Sequence, residues 1–200
     1  AYPYRAIDLV EISPAIVRAA NRFFRVPNRN SLDDPRVELI IADGRNHMLV
    51  SKERYDIITI ELTSVWFAGA ANLYSQEFYE LCRRRLSDTG VLQQWIQLHH
   101  IRRSEVAVIV RTLRQAFDHV ALFVSGGQGI LVASARPLVA SSSALRKLSA
   151  RPGIRATLGS LTELEQLLPR LVASGADLDR FVRDSDDGRH IVSTDENLYL

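Results

Sequence analysis

Short, nearly continuous apolar runs alternate with amphipathic stretches of helical period, the pattern of strands covered on both faces in a largely parallel sheet. The first three runs are Ile7-Asp8-Leu9-Val10, Val37-Glu38-Leu39-Ile40-Ile41 and Ile57-Ile58-Thr59-Ile60, and an acid follows each within two residues: Glu11, Asp43 and Glu61. In an open parallel sheet, ligands bind beyond the carboxyl ends of the strands, where loops converge and helix amino termini face the crevice. One carboxylate there can accept both hydroxyls of a ribose, a second can accept an adenine amino group, and a third is left for proton transfer. The trio points to a nucleoside site, although a single acid at a strand end is usually only a helix cap.

The remaining elements follow from the same reasoning. Ser13-Pro14 predicts an N-cap and first helical residue, with a helix to about Phe24 whose Ile16, Val17, Ala20, Phe23 and Phe24 recur at helical spacing and are expected as core contacts. Asp43-Gly44-Arg45 is the turn into a short helix through Leu49. Further helices are expected from Gln76 to Leu86, behind the cap Ser75, and from Arg103 to Phe117. Strands are expected at Val91 to Leu98, after the Asp88-Thr89-Gly90 turn, and at Val120 to Val124 paired as a hairpin with Ile130 to Ala133. The glycines at 126, 127 and 129 lie between strands, so they belong to a hairpin and not to a phosphate loop, which leads into a helix. Beyond Arg136 the composition turns Ser-, Ala- and Leu-rich, predicting helices over about 143–150, 161–174 and 177–184, with Pro169 kinking or splitting the second.

Composition excludes several classes. With 46% hydrophobic and 24% charged residues the chain is an ordinary globular one, and a net charge of +2 is too mild for a nucleic-acid surface. The Arg83-Arg84-Arg85 run reads as a solvated helix face. One cysteine, Cys82, rules out an internal disulfide and fits a core position in a reducing compartment. His99-His100 lacks a third ligand at metal-binding spacing, so no metal is expected. No run approaches the roughly 20 apolar residues of a membrane span. The chain opens on Ala1 and enters a strand almost at once, which reads as a piece of something longer.

A resemblance now appears. Val10-Glu11-Ile12-Ser13-Pro14, Asp34-Pro35-Arg36-Val37, Asp43-Gly44-Arg45, Tyr55-Asp56-Ile57-Ile58, Asn72 to Tyr79 and Leu86 to Gly90 follow, in order, the pattern of the polyamine aminopropyltransferases. The chain resembles that spermidine synthase family over about residues 5–135. Trp66 with Ala68 to Asn72, Gln94 to Leu98, and Ser193 to Asn197 resemble the spermidine synthase-like domains of larger bacterial, transporter-fused proteins. The resemblance implies an α/β, Rossmann-like class I methyltransferase fold with a C-terminal antiparallel hairpin. It implies a nucleoside-binding domain over 1–135, incomplete at its amino end, and a small helical appendage over 136–200. It further implies binding of decarboxylated S-adenosylmethionine as co-substrate and transfer of an aminopropyl group to an amine or polyamine. By position, Glu11 would hold the ribose hydroxyls, Asp43 with Gly44 the adenine side, and Glu61 would act as catalytic base. Ser64 and Trp66 would line the substrate side. Partners would be a small-molecule amine, not nucleic acid, in a cytoplasmic setting. A membrane-embedded half of the parent protein and a homodimer stay open.

Three departures from the family pattern bear on activity. Ser64 stands where the family has a second aspartate, with Val65 for the usual proline; Glu61 replaces an aspartate; and the strand and glycine-rich turn that precede Glu11 in the family are missing. That strand would lie between those of Arg5–Val10 and Tyr55–Ile60, so either it is supplied from upstream or the sheet closes up without it. A catalytically inactive module and an S-adenosylmethionine-dependent methyltransferase are the alternative readings.

Overall fold

The structure, a computed structural model, describes residues 4–61, 69–159 and 161–200. Contacts group the chain into two compact units, residues 1–51 and 52–200, so the division falls inside the 1–135 region that the sequence treats together.

The first unit carries β1 (Ile7–Glu11), α1 (Pro14–Phe23), β2 (Val37–Ile41) and α2 (Gly44–Val50). β1 and β2 pair in parallel, with Ile7 opposite Val37 and Glu11 opposite Ile41. α1 begins as its sequence dictates: the Ser13 hydroxyl accepts from the Ile16 N–H at 3.4 Å and Pro14 occupies the first turn, where no N–H is needed. The entry to β2 is fixed by Asp34, whose carboxylate accepts from the Arg36 backbone N–H at 3.0 Å and from its guanidinium at 2.9 and 2.6 Å. These bonds hold the Asp34 carboxyl well below the usual carboxylate range. Among the described residues of this unit only Met48 is buried; Ile16, Phe23 and Phe24, expected as core contacts, are exposed, as is Val50. Two strands and two helices cannot bury a full core by themselves.

The second unit is built on a mixed sheet of β3 (Tyr55–Ile60), β4 (Leu86–Gln97), β5 (His119–Ser125), β6 (Gln128–Ser134) and β7 (Leu171–Ser174), in the order β3-β4-β6-β5-β7. β3 and β4 are parallel, and the other pairs are antiparallel. The hairpin forms as the glycines predict: Gly126 and Gly127 take φ of 58° and 77°, the left-handed pair that a two-residue turn needs. β4 starts at Leu86, five residues earlier than expected, with a register irregularity against β3 between Tyr55 and Ile57. Gly90 is required at this point, because a Cβ there would sit 2.9 Å from the Tyr55 carbonyl oxygen. Arg54 secures the same corner by donating to the Leu86 carbonyl at 2.7 and 3.2 Å.

Among the described residues β1 hydrogen-bonds only to β2, and β3 only to β4.

α3 (Gln76–Arg85) and α4 (Arg103–Ala116) pack on each other and on the sheet. β4 alternates, with Leu92, Gln94 and Ile96 buried and Val91, Gln93, Trp95 and Gln97 half-buried on the opposite face. Cys82 is fully buried in α3, a core position as expected. Gln94 is polar yet fully buried, and its amide is satisfied at both ends: Oε1 accepts from the Tyr79 hydroxyl at 2.6 Å, and Nε2 donates to the Leu73 carbonyl at 3.3 Å. The network ties α3 and the loop before it to the middle of the sheet.

The tail needs correction. Residues 142–149 and 175–185 are helical as expected, forming α5 and α7, with a short α6 (Pro152–Arg155) between them. The helix expected over 161–174 is instead a 3-10 segment, Leu164–Arg170, followed by β7. Pro169 removes a helical donor, and the Leu-Val-Ala-Ser stretch then pairs with β5 at the sheet edge. After α7 the chain straps across α3 and α4. Arg111 donates to the Asp186 carboxylate at 2.6 Å and to the Ile191 carbonyl at 3.0 Å. Ser193 donates its N–H to Thr112 Oγ1 at 2.9 Å, and its carbonyl accepts from the Gln76 N–H at 2.9 Å. The turn at the end is made by Thr194 and Asn197, while the Asp195 N–H donates to Glu77 at 3.0 Å.

Two outcomes follow from the buried network. Gln94→Leu leaves the Tyr79 hydroxyl and the Leu73 carbonyl without their partner and lowers unfolding free energy by about 1–3 kcal/mol in urea denaturation. Burial pushes the Tyr74 phenol up from 10.0 to about 12 and the Tyr79 phenol well above 10.0. Both groups favour folding while protonated, so their contribution is complete below pH 10; that of Tyr74 is lost as pH rises through about 12. Absorbance at 295 nm should show these two tyrosines ionising only with alkaline unfolding.

Candidate functional site

Glu11 and Asp43 are brought together by strand pairing. Glu11 closes β1 and lies opposite Ile41; the next residue, Ala42, donates its N–H to the Glu11 carbonyl at 3.2 Å, and Asp43 follows directly. The two carboxylates therefore stand at the carboxyl rim of adjacent parallel strands, each at the mouth of a helix. Glu11 Oε1 accepts from the Ser13 N–H at 2.8 Å, and Asp43 Oδ1 accepts from the Asn46 N–H at 2.8 Å as the N-cap of α2. Asp43 thus caps α2 with one oxygen, Glu11 uses one to hold the N–H of the α1 cap residue Ser13, and each carboxylate has a second oxygen for a ligand. Gly44 opens α2, and a Cβ on it would meet nothing within 4 Å, so open space lies over this turn.

Glu11 also lines a narrow, largely apolar hollow of about 180 Å³ with Leu9, Ile16, Val17, Asn28 and Ser31, between β1, α1 and the following loop. Drug-sized ligands usually occupy roughly 300–1,000 Å³, so the hollow is smaller than an ordinary ligand pocket. His47 stands 4.0 Å from Asp8, a neighbour on β1, rather than in open solvent.

Glu61 belongs to the second unit, one residue past β3 and exposed at its carboxyl end. It is held by a residue that the sequence pattern does not single out: Gln93 Nε2 donates to Glu61 Oε1 at 3.0 Å. Gln93 lies opposite Thr59 in the parallel register, so both side chains share one face of the sheet. The available signal is a pair of glutamines in an otherwise apolar strand, of which Gln94 turns to the core and Gln93 to the rim. Ser64 and Trp66, with Phe67, lie outside the described residues. His99 and His100 sit beyond β4 with rings in an edge-to-face contact, and Gln97 meets the His99 ring. No group of three metal-binding side chains occurs among the described residues. Nor is any described helix long and apolar enough to cross a membrane.

Comparison with known proteins gives this geometry a context. The family model described as "Spermine/spermidine synthase domain" matches residues 1–126. A polyamine aminopropyltransferase of Korarchaeum cryptofilum is 29% identical over 121 residues, covering 60% of this chain and 37% of the relative. The spermidine synthase of Thermotoga maritima matches in structure with a TM-score of 0.56 at 24% identity, over 66% of this chain and 46% of that one. Human methyltransferase-like protein 13, solved in complex with SAH, matches with a TM-score of 0.55 at 17% identity, over 89% and 71%. These likenesses establish the α/β Rossmann-like fold shared by spermidine synthases and methyltransferases. The chain spans about a third of the length of the curated relatives it matches.

The cap role of Asp43 is separable from any ligand role. Asp43→Ala should cost about 1 kcal/mol through the lost cap, and Asp43→Asn only a few tenths, since the amide oxygen still accepts from Asn46. Parallel urea denaturation of the two variants measures the difference.

Proposed function

Because the chain belongs to the spermine/spermidine synthase family, we propose that it is the nucleoside-binding part of an aminopropyltransferase that takes decarboxylated S-adenosylmethionine as co-substrate and a small amine or polyamine as acceptor. The observation that carries the reading is the pairing of Glu11 and Asp43 at the rim of adjacent parallel strands, with one Glu11 oxygen held by the Ser13 N–H and one Asp43 oxygen by the amino terminus of α2. In this reading the second oxygen of Glu11 takes the ribose hydroxyls and Asp43 takes the adenine amino group over the open turn at Gly44. Glu61 serves as base. An ammonium ion has no lone pair, so a carboxylate must remove a proton before the amine nitrogen can attack the carbon beside the sulfonium. The carbon–nitrogen bond forms as the carbon–sulfur bond breaks, the sulfonium leaves as neutral methylthioadenosine, and the proton rests on Glu61. The negative charge of Glu61 also attracts both cationic reactants. Ser64 and Trp66 complete the acceptor side, and no metal takes part. The proposed setting is cytoplasmic.

One sequence feature favours a second reading, a module that binds the nucleoside without turnover: Ser64 occupies the place of the family's second aspartate. Two measurements on the complete natural protein separate the readings. In calorimetry, Glu11→Ala should weaken binding of methylthioadenosine by about tenfold or more, since a charge-assisted hydrogen bond contributes roughly 1.5–3 kcal/mol. In product analysis by mass spectrometry, Glu61→Gln should cut aminopropyl transfer by about 10²–10⁴-fold, the usual contribution of a positioned base. If neither methylthioadenosine nor decarboxylated S-adenosylmethionine binds the unaltered protein, the proposal fails. Binding without product selects the inactive module, and a methylated product selects the methyltransferase.

A further inference from the structure

The geometry points to Gln93 as a positioning residue for Glu61: its side-chain amide fixes one carboxylate oxygen and leaves the other aimed at the acceptor amine. This inference rests on the proposed role of Glu61.

Glutamate has one more rotatable bond than aspartate, and Glu61 stands just past the end of β3, where backbone pairing no longer restrains it. A base misplaced by about 1 Å can lose on the order of a hundredfold in rate, so a flexible carboxylate at this place needs a partner. Gln93 provides it at 3.0 Å. The partner's own footing is rigid. Gln93 is paired through the backbone to Thr59 on one side and to Val132 on the other, near the middle of the longest described strand. The next residue, Gln94, is locked into the core by Tyr79 and by the Leu73 carbonyl, which fixes the pleat that turns Gln93 the opposite way.

The chemistry of the amide also suits the task. An arginine or lysine in its place would neutralise Glu61 and repel the two cationic reactants, whereas a primary amide orients the carboxylate and leaves its charge intact. One N–H occupies Oε1, so Oε2 is available for the proton of the acceptor ammonium.

The test uses the complete natural protein with decarboxylated S-adenosylmethionine and a diamine acceptor. Gln93→Met keeps the length and removes the donor; Gln93→Glu keeps the shape and places a like charge beside Glu61. The expected order of kcat is unaltered protein, then Gln93→Met lower by about tenfold, then Gln93→Glu lower still. The KM for the nucleoside co-substrate should stay within about twofold and the melting temperature should not follow the order of kcat, a split that a merely structural residue would not produce. Unchanged kcat in both variants, or rate losses that track melting temperature, overturns the inference while leaving the proposed function standing. If the unaltered protein transfers no aminopropyl group, the proposed function falls and this role falls with it.

Discussion

Strand β4 is hydrogen-bonded along both edges, parallel to β3 and antiparallel to β6, and the second unit depends on that double pairing. Its pleat sorts side chains between two environments. Leu92, Gln94 and Ile96 face the helices and are buried, while Gln93, Trp95 and Gln97 face the other way. A slip of one residue would turn every one of them to the wrong side. Gln94 opposes such a slip, because moving it would strand the Tyr79 hydroxyl, itself fully buried, away from its partner. The same residue-by-residue alternation then brings Gln93 beside Glu61. Core packing and placement of the candidate base are thus two results of one register.

The first unit has a different economy. Its acids are held at the rim by local bonds spanning two or three residues, Glu11 to Ser13 and Asp43 to Asn46, which need no surrounding core. Its apolar side chains, by contrast, gain little within the unit, since Met48 alone among its described residues is buried. Local hydrogen-bond geometry can be specified by a short stretch of sequence even where burial is incomplete, and this is the reason a pair of rim carboxylates can be written into fifty residues.

Much of this was legible in the sequence, for physical reasons that differ by element. The strand–helix alternation was readable because period 2 and period 3.6 are local, and Ser13-Pro14, Ser75 and Gly126-Gly127 mark ends and turns by their own conformational needs. Glu11 and Asp43 were readable because strand ends predict the rim. β7 was not. Residues 171–174 follow a leucine-rich stretch of helical period, and only the open edge of β5, some fifty residues earlier in the chain, makes them a strand. Gln93 was not readable as the partner of Glu61 either, because their contact spans 32 positions and depends on the register between β3 and β4. The split between the two sheets follows from the same limit: periodicity announces strands but does not say which will pair.

The two edges of the larger sheet are treated unequally. On the far side, β7 covers the apolar β5 with four residues and then breaks away at Gly175, whose φ is 50°. A strand so short makes a poor template, which is how natural sheets guard an edge. On the near side, β3 presents Tyr55 to Ile60 with no strand neighbour on its outer flank among the described residues. Within the second unit the sheet is thus extended on one side of β4 by the hairpin and β7, so each antiparallel pair beyond β4 inherits the register that β4 sets.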